Sequence, residues 1–385
     1  MSAILECAGL KSGSEKETRR LRVLHLINGE HYAGAERVQD LLGRYLPELG
    51  IDLGFACLKP DRFPLVRQSR DVPLWNVRMR GRVDLAVAGN IFRLIRDNNF
   101  QLLHAHTPRS LLVGRIAAAL ARVPVVYHVH SPVQRDSTDR LRNWINAAFE
   151  RGGLNGVPQL ICVSQSLRNY LLERGCEPEK ISVVPNGVPT IDCSEKAPRS
   201  DGMWTLGTVA LLRPRKGIEV LLDAIALLRT ESVPVRVRIV GPFESAEYEG
   251  ALRQRAADLN IEDAVEWFGF TKHAQQEMQK FDLFVLPSLF GEGMPMVVLE
   301  SMTAGTPVIA SDVEGIPEVI RDGQDGLIVP PNSPRHLADA VKRFVNGEVD
   351  YAAVRCSALR RQREQFSADA MAKGVADVYR RLLPD

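Results

Sequence analysis

The chain has very little net charge. Its 49 Lys and Arg against 47 Asp and Glu leave +2 over 385 residues, and a sum so close to zero argues against a nucleic-acid partner. Cysteine is scarce and unpatterned. The six residues, at 7, 57, 162, 176, 193 and 356, include no C-x-x-C pair. None combines with the eight histidines in a zinc spacing, so they read as reduced thiols packed as small hydrophobes in a cytoplasmic protein. His104-x-His106 is read as two strand positions whose rings face opposite ways, which argues against a metal there. No apolar run is long enough to cross a membrane. The most apolar stretch, Leu111–Tyr127, is broken by Arg115, Arg122 and Pro124 and falls short of about 20 clean residues. Met1–Leu10 lacks the basic start and long apolar core of a secretion signal. Residues 11–20, KSGSEKETRR, are polar and charged, so 1–20 are expected to form a disordered leader.

What is present is ordinary globular composition, 45% apolar and 25% charged, enough for two cores in a chain of this length. From residue 21, short β-rich runs alternate with amphipathic helices. LRVLHLIN (21–28), IDLGFACL (51–58), LLHAH (102–106), VPVVYHVH (123–130), LICVS (160–164) and ISVVPNG (181–187) read as strands. Residues 189–203 lose the pattern and read as a linker. The alternation then restarts at WTLGTVA (204–210) and runs to three closing helices, the last over 368–383. Repeated strand–helix units imply parallel sheets covered on both faces. The expected architecture is α/β: an N-terminal domain over 21–188, a C-terminal domain over 204–366, and a final segment, 367–385, that crosses back to the first. Ligands are expected beyond the carboxyl ends of the strands.

The most informative segment is 286–331, LPSLFGEGMPMVVLESMTAGTPVIASDVEGIPEVIRDGQDGLIVPP. A buried strand ends near Pro287. A loop with Gly291 and Gly293 follows, and Pro295 is read as the first residue of a helix. The glycines let backbone approach a ligand. The amides of Met294, Met296 and Val297 stand at the positive end of that helix, which suits an anion. Glu292 lies in the loop and Glu300 in the helix, so a phosphate-sized site is flanked by two carboxylates that can accept hydrogen bonds from hydroxyls. A sugar nucleotide has that layout.

This segment resembles the retaining nucleotide-sugar glycosyltransferases of glycosyltransferase family four, whose mark is E-x(7)-E, here Glu292–Glu300, with PSLF before it and ESMTAGTPVIAS after it. VLHLINGEHYAGAERV (23–38), LLHAHTPRS (102–110), VVYHVHSP (125–132), ICVSQSLRNYLLERG (161–175) and ISVVPNGV (181–188) stand in family order. The resemblance implies two Rossmann-like domains facing across a cleft, the GT-B arrangement. It implies that Glu300 holds the ribose hydroxyls, that Glu292 lies by the donor sugar, and that the amides of Gly293 and Met294 meet sugar and diphosphate. Gly34 would approach the diphosphate, and His130 would face donor sugar and acceptor. Asn186-Gly187 reads as a structural turn. One departure stands in ALLRPRKG (210–217). Lys216 matches the family's diphosphate lysine, but Leu211 occupies its usual arginine position. Arg213 is taken as the substitute, with Arg215 the alternative.

The implied enzyme is hexosyltransferase-like and keeps the anomeric configuration. It needs no cofactor and no metal at the donor, since Lys216, an arginine and helix amides would meet the leaving charge. No D-x-D adjoins a predicted cleft strand. A glycosidase reading of the two carboxylates is set aside because the pair suits hydroxyl binding. An epimerase on the same scaffold and a non-catalytic nucleotide-sugar binder are the rival readings. A dinucleotide-dependent dehydrogenase is not supported, because no strand runs into G-x-G-x-x-G. The near-zero charge also hides a split. Residues 1–190 hold 26 basic and 18 acidic residues, and the remainder 23 and 29. The basic excess gathers at Lys59, Arg62, Arg67, Arg70, Arg78, Arg80 and Arg82. It suggests an acceptor half that meets a lipid-phosphate acceptor or the anionic inner face of a membrane.

Overall fold

A computed structural model describes residues 20–81, 84, 86–132, 153–154, 156–192 and 202–383. Residues 1–19 of the leader, most of the linker and Arg82 lie outside the described residues. Two wholly parallel sheets form the frame. The first has seven strands in the order β3-β2-β1-β4-β5-β6-β7 and the second six, β10-β9-β8-β11-β12-β13. In the first, β1 (Leu21–Ile27) lies between β2 (Ile51–Cys57) and β4 (Leu102–Ala105). Then follow β5 (Val125–Val129), β6 (Gln159–Cys162) and β7 (Ile181–Val183). The edge strand β3 (Leu74–Asn76) pairs with β2 inside a stretch whose sequence reads only as a basic loop. Three residues, none fully buried, carry too little pattern to announce a strand. The second sheet comprises β8 (Trp204–Val209), β9 (Val235–Val240), β10 (Val265–Gly269), β11 (Leu283–Leu286), β12 (Val308–Ser311) and β13 (Gly326–Val329).

Helices between the strands supply the outer layers. In α1 (Gly34–Tyr45), Val38, Leu41 and Leu42 lie on the buried side. The first residue before it, Ala33, has no capping oxygen, and Glu36 instead accepts from the Ala33 amide at 3.3 Å. α2 is a single turn, Phe63–Val66, and α3 spans Ala86–Asp97. α4 (Pro108–Ala121) is capped by Thr107, and α5 (Gln165–Leu172) by Ser164. In the second half, α6 (Ile218–Thr230) and α7 (Ala246–Asp258) precede the short α8 (Ala274–Met278). Then come α9 (Met296–Thr303), α10 (Ile316–Val319), α11 (Pro334–Val345) and α12 (Tyr351–Gln365). Among the described residues, no helix is long and apolar enough to cross a membrane.

The last helix, α13 (Ala368–Leu382), leaves the second half and packs on the first. Ser367 caps it by accepting from the Ala370 amide. Tyr379, fully buried, hydrogen-bonds His25 and His104, and Arg380 reaches the Leu49 carbonyl at 2.8 Å. The entry is tied by backbone: Val188 donates to Phe366 and Ala368 donates back to Val188, at 2.9 and 3.0 Å. Gly187 makes that approach, since a Cβ there would stand 2.1 Å from the Ser367 carbonyl oxygen. Gly187→Ala is therefore expected to destabilise the protein by about 1–3 kcal/mol through overpacking. Gly250→Ala, with open space at its Cβ inside α7, should leave stability unchanged or raise it. Urea melts of the two variants compare them directly.

Candidate active site

Strands of one sheet that all run parallel release their loops at one edge, and here those loops meet between the two halves. β11 ends at Leu286, and Ser288 then donates to a Glu292 carboxylate oxygen at 2.6 Å. Lys216 pairs with the same oxygen. Arg215 stands 3.9 Å from it while donating to the Gly291 carbonyl at 2.8 Å. Gly217 holds this cationic turn against the strand end. It sits at φ +64°, and a Cβ would meet the Pro287 carbonyl oxygen at 2.1 Å. Glu292 is only 5% exposed, so it is no solvated surface glutamate. Burial alone would raise its carboxyl, but Lys216 and Arg215 outweigh burial and hold it below the usual carboxylate range. Burial in turn draws the Lys216 ammonium below its ordinary value, against the pull of Glu292.

Gly293 carries the loop across the cleft. A Cβ on it would lie 2.1 Å from the His130 carbonyl oxygen, and one on Gly315 would lie 1.8 Å from the Gly293 oxygen. Three backbone segments are thus stacked with no room for a side chain. Asn186 donates from Nδ2 to the Met294 carbonyl at 2.9 Å. It therefore does more than turn the chain, because it anchors the donor loop from the first half. Glu318 works in the opposite sense, accepting from the Gln165 and Ser166 amides at the start of α5. Pro295 is the residue before α9 rather than its first member, with ψ 116°. The helix opens at Met296; the Val298 amide turns back to the Pro295 carbonyl at 3.1 Å, and those of Met296 and Val297 have no partner within the helix.

Glu300 is 1% exposed and is met by Arg37 of α1, Nη1 to Oε2 at 2.9 Å. This pair closes the cleft from the N-terminal side, and sequence reasoning missed it. The only sign was the place of Arg37 one turn after Gly34, whose Cβ would lie 4.0 Å from Met296 Cγ. Arg213, taken from sequence as the substitute cation, turns instead to Glu244 at 3.9 Å. Arg215 is the arginine beside Glu292.

His130 is brought to Gly293, and its Nε2 lies 3.0 Å from His106 Nδ1. The expectation that His104 and His106 face opposite ways is incorrect. Residues i and i+2 of an extended chain share a face, and these two rings lie 4.1 Å apart between centres. Of the basic cluster, Lys59 pairs with Glu30, and Arg67 and Arg70 donate to backbone carbonyls. Arg62, Arg78 and Arg80 are exposed.

The sequence matches the profile of Glycosyltransferase Family 4 over residues 32–191 and that of Glycosyl transferases group 1 over 192–363. It is 31% identical over 310 residues to the phosphatidyl-myo-inositol mannosyltransferase of Mycobacterium leprae, covering 76% of this chain and 77% of that one. The chain is a family-four glycosyltransferase. This glycosyltransferase is also 27% identical, over 86% of its length and 89% of the relative's, to an Escherichia coli enzyme. That enzyme is the UDP-Gal:alpha-D-GlcNAc-diphosphoundecaprenol alpha-1,3-galactosyltransferase. Its fold matches Anabaena HepE in complex with UDP and glucose at TM-score 0.81 and 21% identity, over 94% of this chain and 99% of that one. The sucrose-phosphate synthase of Thermosynechococcus elongatus matches at 0.79 and 20%, with 94% and 99% covered. The expected GT-B arrangement is therefore the observed one.

The buried Glu292 has a testable pH signature. Its folded carboxyl titrates below its unfolded value, so the stability it contributes is present above about pH 4.5 and lost as pH falls through the folded value. Glu292→Gln should lower Tm at pH 7. The gap to wild type should narrow as pH falls below about 4.5 in calorimetry.

Proposed function

We propose that this glycosyltransferase moves a sugar from a nucleotide-diphosphate donor, UDP- or GDP-linked, to a hydroxyl acceptor with retention of configuration. The observation that carries the reading is the paired arrangement of Glu292 and Glu300. Both are buried, both are matched by cations, and they flank the opening turn of α9. The ribose hydroxyls would take Glu300 from Arg37, and the sugar hydroxyls would bond Glu292. Glycosidic cleavage puts negative charge on the departing diphosphate. Lys216, Arg215 and the amides of Gly293 and Met294 are the groups that would meet that charge, so the proposal asks for no metal at the diphosphate. The acceptor would approach on the face the diphosphate leaves, next to His130 and Gly34. Arg213 remains a more distant member of the donor side. An epimerase would need no acceptor, and product analysis separates the two readings.

The setting we propose is cell-surface polysaccharide or glycolipid assembly on the cytoplasmic side of a membrane. The acceptor would be a sugar or a lipid-linked sugar. Relatives named for phosphatidyl-myo-inositol and for diphosphoundecaprenol support a lipid-linked acceptor. The single turn α2 supports peripheral contact, since Leu65 is 68% exposed between Arg62 and Arg70. Each basic residue near an anionic surface contributes about 1 kcal/mol. Sedimentation with anionic but not neutral vesicles is the expected result, and equal sedimentation with both removes this part of the reading.

Two variants test the chemistry. Glu300→Ala should weaken donor binding roughly ten- to hundredfold, the loss of hydrogen bonds to a charged group. Lys216→Ala should lower turnover about 10²–10³-fold. Donor choice is read from a panel of UDP- and GDP-sugars by thermal shift and hydrolysis, and retention by NMR of the anomeric product. Wild-type turnover in both variants would overturn the assignment.

A further inference from the structure

Behind the cleft, five of the eight histidines gather at the carboxyl ends of three neighbouring strands. His25 on β1 lies in register beside His104 on β4. His106 follows β4, and His128 and His130 follow the same i, i+2 pattern on and after β5. We propose that His25, His104 and His106 form a buried binding site for a borderline first-row transition-metal dication, with zinc the default, and that His128 completes it. This site is independent of which nucleotide sugar the cleft takes.

The ligand geometry is favourable. One ring nitrogen from each of His25, His104 and His106 lies within 4.8 Å of the other two. His25 Nδ1 and His106 Nε2 are 3.2 Å apart. The edge of a tetrahedron with zinc–nitrogen bonds of about 2.0 Å is about 3.3 Å. An all-imidazole donor set selects zinc and its neighbours over magnesium or calcium.

The outer shell is also in place. A histidine that binds metal through one nitrogen is ordinarily held by a hydrogen bond from the other. His25 Nε2 and His104 Nδ1 both lie on the Tyr379 hydroxyl oxygen, at 3.0 and 2.6 Å. That oxygen has two lone pairs and accepts both N–H groups. His106 Nδ1 lies on His130 Nε2 at 3.0 Å. Each of the three rings is thus anchored by the nitrogen that faces away from the metal.

The remaining nitrogens point to a ligand. His104 Nε2 and both ring nitrogens of His128 are buried without a hydrogen-bond partner. The His128 ring centre stands 5.3 Å from those of His104 and His106. The alternative is a metal-free chain of neutral N–H···N bonds from His130 through His106 and His25 to Tyr379. That chain leaves His104 Nε2, both nitrogens of His128 and the Nδ1 of its own first member, His130, unpaired. With metal bound, His106 donates from Nδ1 to His130 Nε2, which fixes the hydrogen of the cleft histidine on Nδ1.

The test uses the full chain without a histidine tag, expressed in medium supplemented with zinc or with cobalt and passed over chelating resin. About one metal per chain by mass spectrometry is expected, with ligand-field absorption of four-coordinate cobalt in the second preparation. Tyr379→Phe keeps the packing and removes only the outer anchor, so it should lose metal about 10–100-fold more readily to a competing chelator. His104→Gln and His128→Gln, with folding checked by circular dichroism, should lose the cobalt spectrum. Folded wild type with less than about a tenth of an equivalent in both preparations overturns the proposal in favour of the neutral chain. Equal retention by the folded histidine variants also overturns it, assigning the metal to the exposed His31, His273 and His336. Should a histidine variant fail to fold, the Tyr379→Phe comparison decides.

Discussion

The contact on which the cleft depends involves no side chain. The His130 carbonyl of the first half lies against Gly293 of the second, and Gly315 closes on Gly293 from behind. A methyl group at Gly293 would drive the halves apart, and one at Gly315 would displace Gly293 itself. Side chains then fasten what the backbone has brought together: Asn186 on the Met294 carbonyl and Glu318 on the start of α5. Because Glu292 and Met294 flank Gly293 in sequence, the loop that joins the halves is also the loop that carries the proposed donor contacts. Fold and site therefore share one constraint.

Electrostatics builds on that contact. Two carboxylates sit in the cleft wall, and each has a cation: Lys216 with Glu292, Arg37 with Glu300. Taking charges out of water is costly unless they are paired, and removing one partner of a buried pair costs about 3–5 kcal/mol. A visiting molecule that carried only negative charge would strand the carboxylates. One that offers both phosphates and hydroxyls can exchange partners with both members of each pair. The proposed donor is of that kind, so neither the cations nor the carboxylates of the cleft would be left unmatched on binding.

Much of this was legible in the sequence. Near-continuous apolar strands such as VVYHV, set between amphipathic helices, announced two parallel sheets because both faces of each had to be covered. The glycine loop and the E-x(7)-E spacing marked the second-half side of the cleft because those residues are close in sequence. What escaped was long-range or sterically subtle. Arg37 meets a carboxylate 263 positions away, and nothing local to either residue announces the pair. The choice between Arg213 and Arg215 depends on the path of one short turn. Strand β3 is too short for a pattern. The histidines were a different failure. Their spacing was visible, but positions two apart were assigned to opposite faces, and that inverted the geometry of the one cluster most unlike an ordinary core.

The return of α13 to the first half has a mechanical consequence. The chain crosses between the halves twice, once beyond Val188 and again at Phe366–Ala368, and the two crossings are hydrogen-bonded to each other. A body joined by one flexible strand can swivel in any direction. A body joined by two strands laced side by side behaves like a door on a pin, free to rotate about the line through them and stiff to twist. A cleft hinged in this way would open along a single coordinate, and closure would return Gly293 to the same carbonyl.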